Sequence, residues 1–347
     1  MAYTTINKPS EYFNTKLYTG TGSAQSLTGV GFQPDLVWFH CRSNTNDTSL
    51  FDVIRGGTKA IYSNLYIGER TKTLALTSFD SDGFSLGGAS GETNDNGATY
   101  VAWNWLADNT SGSSNTDGSI TSTVSVSTTS GFSIVKYTGT GSVATVGVGL
   151  NSTPEIVLIK NLSTDNAWRM YSVPVGTGGQ LALDQTSPAD SGNTAMWNNT
   201  APTSSVFTVG THPGVNESSS NLIAYCWHSV KGFSKFGSYT GNGNASGPFI
   251  YTGFKPAFVM IKNISATESW YILDTKRPSY NTNNYYLLPN NSDPEGTSTT
   301  LATSLLSNGI KIENADTSMN TSGQTYIYMA FAEAPLVGTN GVPTTAR

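Results

Sequence analysis

Short apolar runs between polar turns set the pattern of this chain. Three of them, DLVWFH, EIVLIK and AFVMIK, directly follow Pro34, Pro154 and Pro256. Their valine, isoleucine and aromatic content favours β-strands, and a proline in front of a strand removes no ladder hydrogen bond. Because successive side chains of a strand point to opposite faces, unbroken apolar runs predict strands that are buried on both faces.

Other segments alternate instead. In TYVAWNW (99–105) and TYIYMAF (325–331), large aromatic residues recur with a period of two, which predicts a sheet face packed against another layer. Turn residues interrupt the chain at intervals of roughly 8 to 12 residues, and no stretch keeps a helical period. The sequence therefore predicts an all-β fold of the sandwich type, with jelly-roll or lectin-like sheets.

The whole pattern occurs three times. The letters YTGTG begin at Tyr18, recur at Tyr137 and return as YTGNG at Tyr239. Each copy continues with a proline-led strand, an apolar segment, a turn with a strand, and finally an asparagine before an aromatic strand. Copies roughly a hundred residues apart are too long for solenoid repeats and indicate tandem domains. We expect three related β-sandwich domains.

The landmarks also place the boundaries of these domains. The predicted segments are an N-terminal arm (1–15), repeat 1 (16–108), a Ser/Thr/Gly-rich linker (109–130), repeat 2 (131–230), repeat 3 (231–335) and a C-terminal tail (336–347). The linker composition predicts flexibility. The short junction between repeats 2 and 3 predicts that these two domains are in fixed contact.

The YTGTG motif is predicted to end the first strand of each repeat and to form the turn after it. The tyrosine would anchor the turn, the threonine hydroxyl would cap it, and the glycines would accept positive φ. No helix-forming segment follows, and GxGxxG is not completed at Gly20 or Gly139, so the motif does not indicate nucleotide binding.

Composition narrows the function classes. Charged residues make up 12% of the chain, and the net charge is -5 without a Lys/Arg cluster, which argues against nucleic acid as a partner. No signal peptide and no run of about 20 apolar residues is present, so we expect a chain made in the cytoplasm without membrane insertion. Cys41 and Cys226 show no metal-binding spacing and are predicted to be free buried thiols. No cofactor is indicated.

Catalytic patterns are sparse. His40, His212 and His228 fall at unrelated places in the repeats, and no GxSxG motif occurs. Asp80 and Asp82, in FDSDGFSLG, are the best local carboxylate pair and a weak calcium candidate, but Asp-Gly is also a common turn. We therefore predict no catalytic residues and no metal site.

Two further features are candidate binding residues. Asp52 with Arg55 and Asp274 with Arg277 recur at one place in repeats 1 and 3, which predicts ion pairs at a strand end, with ligand binding as the alternative.

Tryptophans are the other candidates, because an aromatic ring can stack on a sugar. Trp168 and Trp270 are equivalent to each other and so are predicted to lie in the core. Trp197 has no counterpart and is predicted to be a surface contact.

These motifs resemble a family of repetitive β-proteins in tailed bacteriophages, especially marine ones. The resemblance spans nearly the whole chain and rests on YTGTGSAQSLTGVGFQPDLVWF, LFDVIRG, SFDSDGFSLG, NDNGATYVAWNW, GFSKFGSYTGNG, TYIYMAFAEAP and GVPTTAR. It implies a non-enzymatic structural protein on the outside of the virion, assembled in the host cytoplasm with other virion proteins of the capsid or tail.

Three functions fit this resemblance. The first is a tail-fibre-like adhesin that contacts host-surface polysaccharide through weak multivalent contacts. The alternatives are a head decoration or spike protein that stabilises the capsid, and a polysaccharide depolymerase, which the missing carboxylate pair and the absence of a β-helix period disfavour. Analogy with phage fibres suggests a homo-oligomer, such as a trimer.

Overall fold

The computed structural model describes residues 3–278, 280–338 and 341. Its strands form several sheets in which every pair of strands is antiparallel, while helices are confined to single turns. The all-β sandwich prediction is confirmed. No helix of the described ranges is long and apolar enough to cross a membrane.

Repeat 1 contains a large and a small sheet. The large sheet has the strand order β1-β9-β3-β4-β5-β6, and the small sheet has the order β2-β8-β7. A 3-10 turn at Pro9–Glu11 precedes the first strand. The strands are β1 (Phe13–Thr19), β2 (Gln25–Thr28), β3 (Leu36–Cys41), β4 (Ser49–Asp52), β5 (Lys59–Tyr62), β6 (Arg70–Thr71), β7 (Leu76–Asp80), β8 (Gly83–Leu86) and β9 (Thr99–Trp105).

Repeat 2 follows the same plan. Its large sheet has the order β10-β11-β12-β19-β14-β15, its small sheet pairs β13 with β18, and β16 pairs with β17. The elements are β10 (Ser113–Asn115), β11 (Ser122–Ser127), β12 (Phe132–Thr138), β13 (Ala144–Gly147), β14 (Ile156–Asn161), β15 (Arg169–Ser172), β16 (Gly179–Gln180), β17 (Asp190–Ser191), α1 (Thr194–Trp197), β18 (Val206–Val209), α2 (Pro213–Asn216) and β19 (Asn221–Trp227).

Repeat 3 completes the set. Its large sheet has the order β20-β28-β22-β23, its small sheet the order β21-β27-β26, and β24 pairs with β25. The elements are β20 (Ser234–Thr240), β21 (Phe249–Tyr251), β22 (Phe254–Asn263), β23 (Trp270–Asp274), β24 (Tyr285–Tyr286), β25 (Gly296–Thr297), a 3-10 turn (Thr299–Leu301), β26 (Thr303–Leu306), β27 (Gly309–Ile312), α3 (Thr317–Asn320) and β28 (Thr325–Pro335).

The proline-led strands are buried on both faces, as predicted. In β3, Val37 and Phe39 pack in the core between the two sheets of repeat 1, whereas Leu36 and Trp38 face the opposite way. The period of two thus serves two cores at once. We call the core between the two sheets of one repeat its outer core.

The inward faces of all three large sheets meet in one central core. Trp105 of repeat 1 lies 6.4 Å from Trp227 of repeat 2 and 5.8 Å from Phe258 of repeat 3, measured between ring centroids. Buried apolar residues from every repeat belong to this single cluster. The repeats therefore share a core, in addition to the three outer cores.

Residues 109–130, predicted to be a flexible linker, include β10 and β11. Strand β11 pairs with β12 along Thr123–Ser127, and Val124 is buried in the outer core of repeat 2. In STVSVS, valine alternates with serine or threonine, so the valines form one apolar face of the strand. The overall Ser/Thr-rich composition of the segment does not show this alternation. In the predicted arm, Ile6 is buried in the central core. Most of the predicted tail, 336–347, lies outside the described residues.

Candidate functional site

The three YTG(T/N)G motifs form three equivalent turn clamps. In the first clamp the Tyr18 hydroxyl donates to the Thr93 carbonyl at 2.7 Å, and the Asn94 side chain accepts the Thr21 N–H at 2.9 Å. A Cβ at Gly20 would lie 2.2 Å from the Asp95 carbonyl oxygen. The same contacts recur around Tyr137 with Asn216 and around Tyr239 with Asn320.

The second glycine of each clamp adopts positive φ, between 69° and 73°. The positive φ predicted for both glycines is thus confirmed only for the second. The first glycine (Gly20, Gly139 and Gly241) does not adopt positive φ and is required by its close contact with a carbonyl oxygen. In each copy the tyrosine hydroxyl and the N–H of the fourth residue of the motif are used to hold the turn, so these groups are explained by the fold.

The recurring Asp-x-x-Arg residues form buried ion pairs, as predicted. The Arg55 Nε donates to an Asp52 oxygen at 2.5 Å, and Arg277 to Asp274 at 2.7 Å; all four side chains are inaccessible to solvent. Burial is the largest single influence on Arg55 and opposes its charge, but Asp52, Tyr225 and Glu69 together outweigh burial and raise the pKa of the guanidinium above its ordinary value.

Each pair also binds the neighbouring repeat, which the sequence did not indicate. The Tyr225 hydroxyl of repeat 2 donates to Asp52 of repeat 1 at 2.7 Å. The Trp103 indole N–H of repeat 1 donates to Asp274 of repeat 3 at 3.2 Å. These side chains fix one repeat against another and are closed to an external ligand.

The third equivalent place contains no ion pair. By strand register, Ser172 of repeat 2 matches Asp52 and Asp274, and Met329 of repeat 3 matches Tyr225 and Trp103. Here the Ser172 hydroxyl is buried and has no hydrogen-bond partner in the described chain. One junction is thus apolar where the other two are ionic.

A second set of contacts closes the same three junctions. The indole N–H of Trp168 donates to the Tyr62 carbonyl at 2.7 Å, and that of Trp270 to the Ala182 carbonyl at 3.0 Å. Both rings are buried, as predicted. At the third junction the Thr48 hydroxyl of repeat 1 is 3.4 Å from the Asn291 carbonyl of repeat 3.

One buried basic side chain in each repeat makes a further contact with the neighbouring repeat: Lys160, Lys262 and His40. Lys160 donates to the Leu65 carbonyl and Lys262 to the Thr186 carbonyl, and burial lowers the pKa of each amine to about 8. His40 occupies the equivalent place in repeat 1, where burial lowers its pKa to about 4.

Taken together, repeat 2 donates to repeat 1, repeat 3 to repeat 2, and repeat 1 to repeat 3. Equivalent contacts that return to their start after three steps define a closed ring with pseudo-threefold symmetry.

Trp197 was wrongly predicted to be a surface contact. Its side chain is 2% exposed, and its indole N–H donates to the Gly179 carbonyl at 2.9 Å. The polar letters around it form a capped helical turn, in which the Asn193 side chain accepts the Ala195 N–H, and this turn folds the ring onto Tyr171.

Asp80 and Asp82 hold together loops of repeat 1. Asp82 accepts the N–H groups of Gly29 and Gly31 at 2.9 and 2.7 Å, and these bonds lower the pKa of its carboxyl. Asp80 accepts the hydroxyls of Ser78 and Ser85. Across the described ranges, no three His, Cys, Asp or Glu side chains are grouped to hold a metal.

The surface feature that distinguishes one repeat is an aromatic strip on β21. Phe249 and Tyr251 are 46% and 56% exposed and stand on the same outward face of the small sheet of repeat 3. The Phe249 ring covers Gly309 of the neighbouring strand. The other exposed aromatic side chains in the described chain, Tyr66 and Tyr280, lie between strands and not within them.

The equivalent positions of repeats 1 and 2 carry no aromatic residue. Strand register matches Phe249 and Tyr251 with Ser26 and Thr28 of repeat 1, and with Thr145 and Gly147 of repeat 2. Aligning the repeats at this strand would have revealed the difference between FIY and its counterparts.

Comparison with known proteins gives one match. A family model described as a domain of unknown function matches residues 8–335. No curated protein and no solved structure matches the chain. The matched segment includes all three repeats.

Proposed function

This chain belongs to the DUF7483 family of domains of unknown function, and we propose that it is a non-enzymatic structural protein of a phage exterior that binds host-surface glycans. The observation that carries the glycan-binding role is the aromatic strip. Two exposed rings on alternate residues of a strand offer flat apolar faces to sugar rings, and only repeat 3 has them at this position.

Internal comparison supports this choice. Residues that recur in all copies, such as the turn clamps, are explained by the fold, so a feature of one copy is the better candidate for function. The structural part of the proposal is supported by the sequence resemblance described above and by the low charge content. The closed ring of repeats adds a rigid support for such a surface.

The test of glycan binding uses the double variant Phe249→Ser with Tyr251→Thr. These residues already occupy the matching places in repeat 1, so the sheet tolerates them. On an array of bacterial polysaccharides, we expect the intact chain to bind and the double variant to bind at least about tenfold more weakly, because the double variant removes both rings on which a sugar would stack. Tyr66→Ser is the control and should bind normally.

Two results would overturn the proposal. If no polysaccharide on the array retains the intact chain, the glycan-binding role fails. If the chain releases new reducing ends from a polysaccharide, it is an enzyme and the depolymerase alternative holds. Mass spectrometry and labelling of purified particles test the virion assignment, which is wrong if the protein is absent from them.

A capsid-decoration role is the second candidate, and the pseudo-threefold ring favours it. Capsid surfaces present threefold axes, and one chain with three equivalent repeats fits such an axis without a homotrimer. Copy number in the particle separates the two roles, because decoration requires many copies on the head.

A further inference from the structure

A groove of about 550 Å³ lies next to the aromatic strip. Its walls are the N-terminal segment from Tyr3 to Thr5, the turn between β11 and β12, and the connection from β19 to β20. The N-terminal segment occurs once in the chain, so the pseudo-threefold symmetry does not repeat the groove.

The groove contains a cation without an acidic partner. The Lys231 ammonium lies 4.4 Å from the centroid of the Tyr3 ring, and the side chain is exposed. Among the described residues no carboxylate lies within 4.0 Å of it. A lysine held over a ring but not neutralised leaves its charge available to an anion.

Three threonine side chains add hydroxyl groups to the wall of the groove, which His228 and Val230 also line. Thr5, Thr128 and Thr129 are exposed and contribute to its wall. Their hydroxyls form no hydrogen bond within the described part of the chain, whereas those of Thr21, Thr140 and Thr200 each donate to a nearby carbonyl. Each can donate to or accept from a hydroxylated ligand.

Tyr3 connects this groove to the aromatic strip. Its hydroxyl donates to the Gly253 carbonyl at 2.8 Å and lies 3.4 Å from the Tyr251 hydroxyl. A continuous surface therefore runs from Phe249 through Tyr251 and Tyr3 to Lys231. It offers apolar rings at one end, and hydroxyls with one positive charge at the other.

We propose that this groove binds a sugar acid, whose carboxylate meets Lys231 while the neighbouring sugar of the same chain stacks on the aromatic strip. The ligand class is an acidic polysaccharide containing uronic acid. A neutral glycan would leave Lys231 unpaired, and a small anion would leave the rings and hydroxyls unused. The inference rests on the proposed glycan-binding function and deepens it.

The test compares ligands that differ only in charge. Calorimetric titrations of the intact chain use trimers of galacturonate and of mannuronate, each against its methyl ester. We expect at least one acid to bind about tenfold or more tightly than its ester, with the difference shrinking at 0.5 M salt because screening weakens exposed charge contacts. Lys231→Gln should remove the difference, and the control Lys16→Gln should keep it.

The outcomes separate this inference from the proposed function. If acid and ester bind equally, or if Lys231→Gln still discriminates between them, the groove inference is wrong while glycan binding stands. If neither form of either trimer binds, the inference is also wrong, and the polysaccharide array then decides the proposed function on its own. Loss of binding to both forms in the Phe249→Ser, Tyr251→Thr variant supports both proposals.

Discussion

Asp52 and Arg55 form an ion pair in repeat 1 that also contacts repeat 2. The Tyr225 hydroxyl of repeat 2 donates to Asp52, so this buried ion pair takes part in the contact between the two repeats. The apolar junction at Ser172 and Met329 shows that the same geometry tolerates a solution without charge. Removing a single member of a buried pair is costly, whereas replacing all members together is often nearly neutral.

The first prediction compares these two kinds of change. Arg55→Val alone should lower the free energy of unfolding by about 3–5 kcal/mol, because it strands a buried carboxylate. The triple change of Asp52→Ser, Arg55→Val and Tyr225→Met copies the third junction and should recover most of that loss. Urea denaturation measures both. The exposed Lys8–Glu11 pair is the control, and Lys8→Met should have little effect.

A triple variant as unstable as Arg55→Val would contradict the equivalence of the three junctions. It would mean that the ionic network supplies something that the apolar set cannot replace.

Asp35 provides a prediction about pH. It is buried, one of its oxygens has no partner in the described chain, and burial raises the pKa of its carboxyl to about 7. The fold therefore favours the protonated form, so this contribution to stability is complete below about 3.8 and is lost as the pH rises through about 7.

Asp35→Asn cannot ionise and should melt at a higher temperature than the wild type at pH 8. The difference in melting temperature should grow between pH 4 and 7 and then level off. The pKa of His40 is lowered, so its contribution to stability changes with pH in the opposite direction. The wild type and Asp35→Asn share this contribution, so it cancels from the difference in melting temperature. A difference that does not change with pH would contradict the account of Asp35.

At the scale of elements, the turn clamp is the unit that the chain repeats most faithfully. Its first glycine is required by contact, since a Cβ at Gly20, Gly139 or Gly241 would lie 2.2 Å from a backbone carbonyl oxygen. Its second glycine is required by positive φ. The motif therefore recurs because the strand that ends in it must be fixed to the loop before the last strand of the same repeat.

The prediction at the scale of elements concerns repeat 2. Gly139→Ala should destabilise the protein by roughly 1–3 kcal/mol, since the carbonyl of Glu217 cannot move away without breaking the clamp. Gly178→Ala is a matched control in the same repeat, because the nearest atom to its Cβ would be 3.9 Å away. Equal melting temperatures for the two variants would contradict the structural role of the motif.

The sequence predicts the individual strands and turns, but it does not predict how the three repeats pack together. The strands, the turns after YTG and the ion pairs follow from local pattern, because a period of two, a glycine pair and an i, i+3 spacing each act within a few residues. The partners of each clamp do not, since Thr93 and Asn94 lie more than 70 residues after Tyr18 and Thr21. The shared core could not be predicted in this way. The pattern around Trp105 and Phe258 predicts that both are buried, but it does not show that they pack against each other across two repeats. Trp197 was misplaced because its polar neighbours form a capped turn that buries it.

At the scale of the whole molecule, three related repeats form one closed ring. Each large sheet places one face in its outer core and the other in the central core, so no repeat can bury both faces alone. An isolated repeat 3 would expose Phe258, Met260 and Phe331 to water. Exposed apolar surface of this extent favours aggregation. The ring thus makes the stability of each repeat depend on the other two.

Scanning calorimetry of the intact chain tests this central claim most directly. A shared core predicts a single unfolding transition, with the calorimetric enthalpy equal to the van't Hoff enthalpy for the whole chain. Separate transitions for two or three units, with repeat 3 melting independently, would show that the repeats fold as individual domains and would contradict the account.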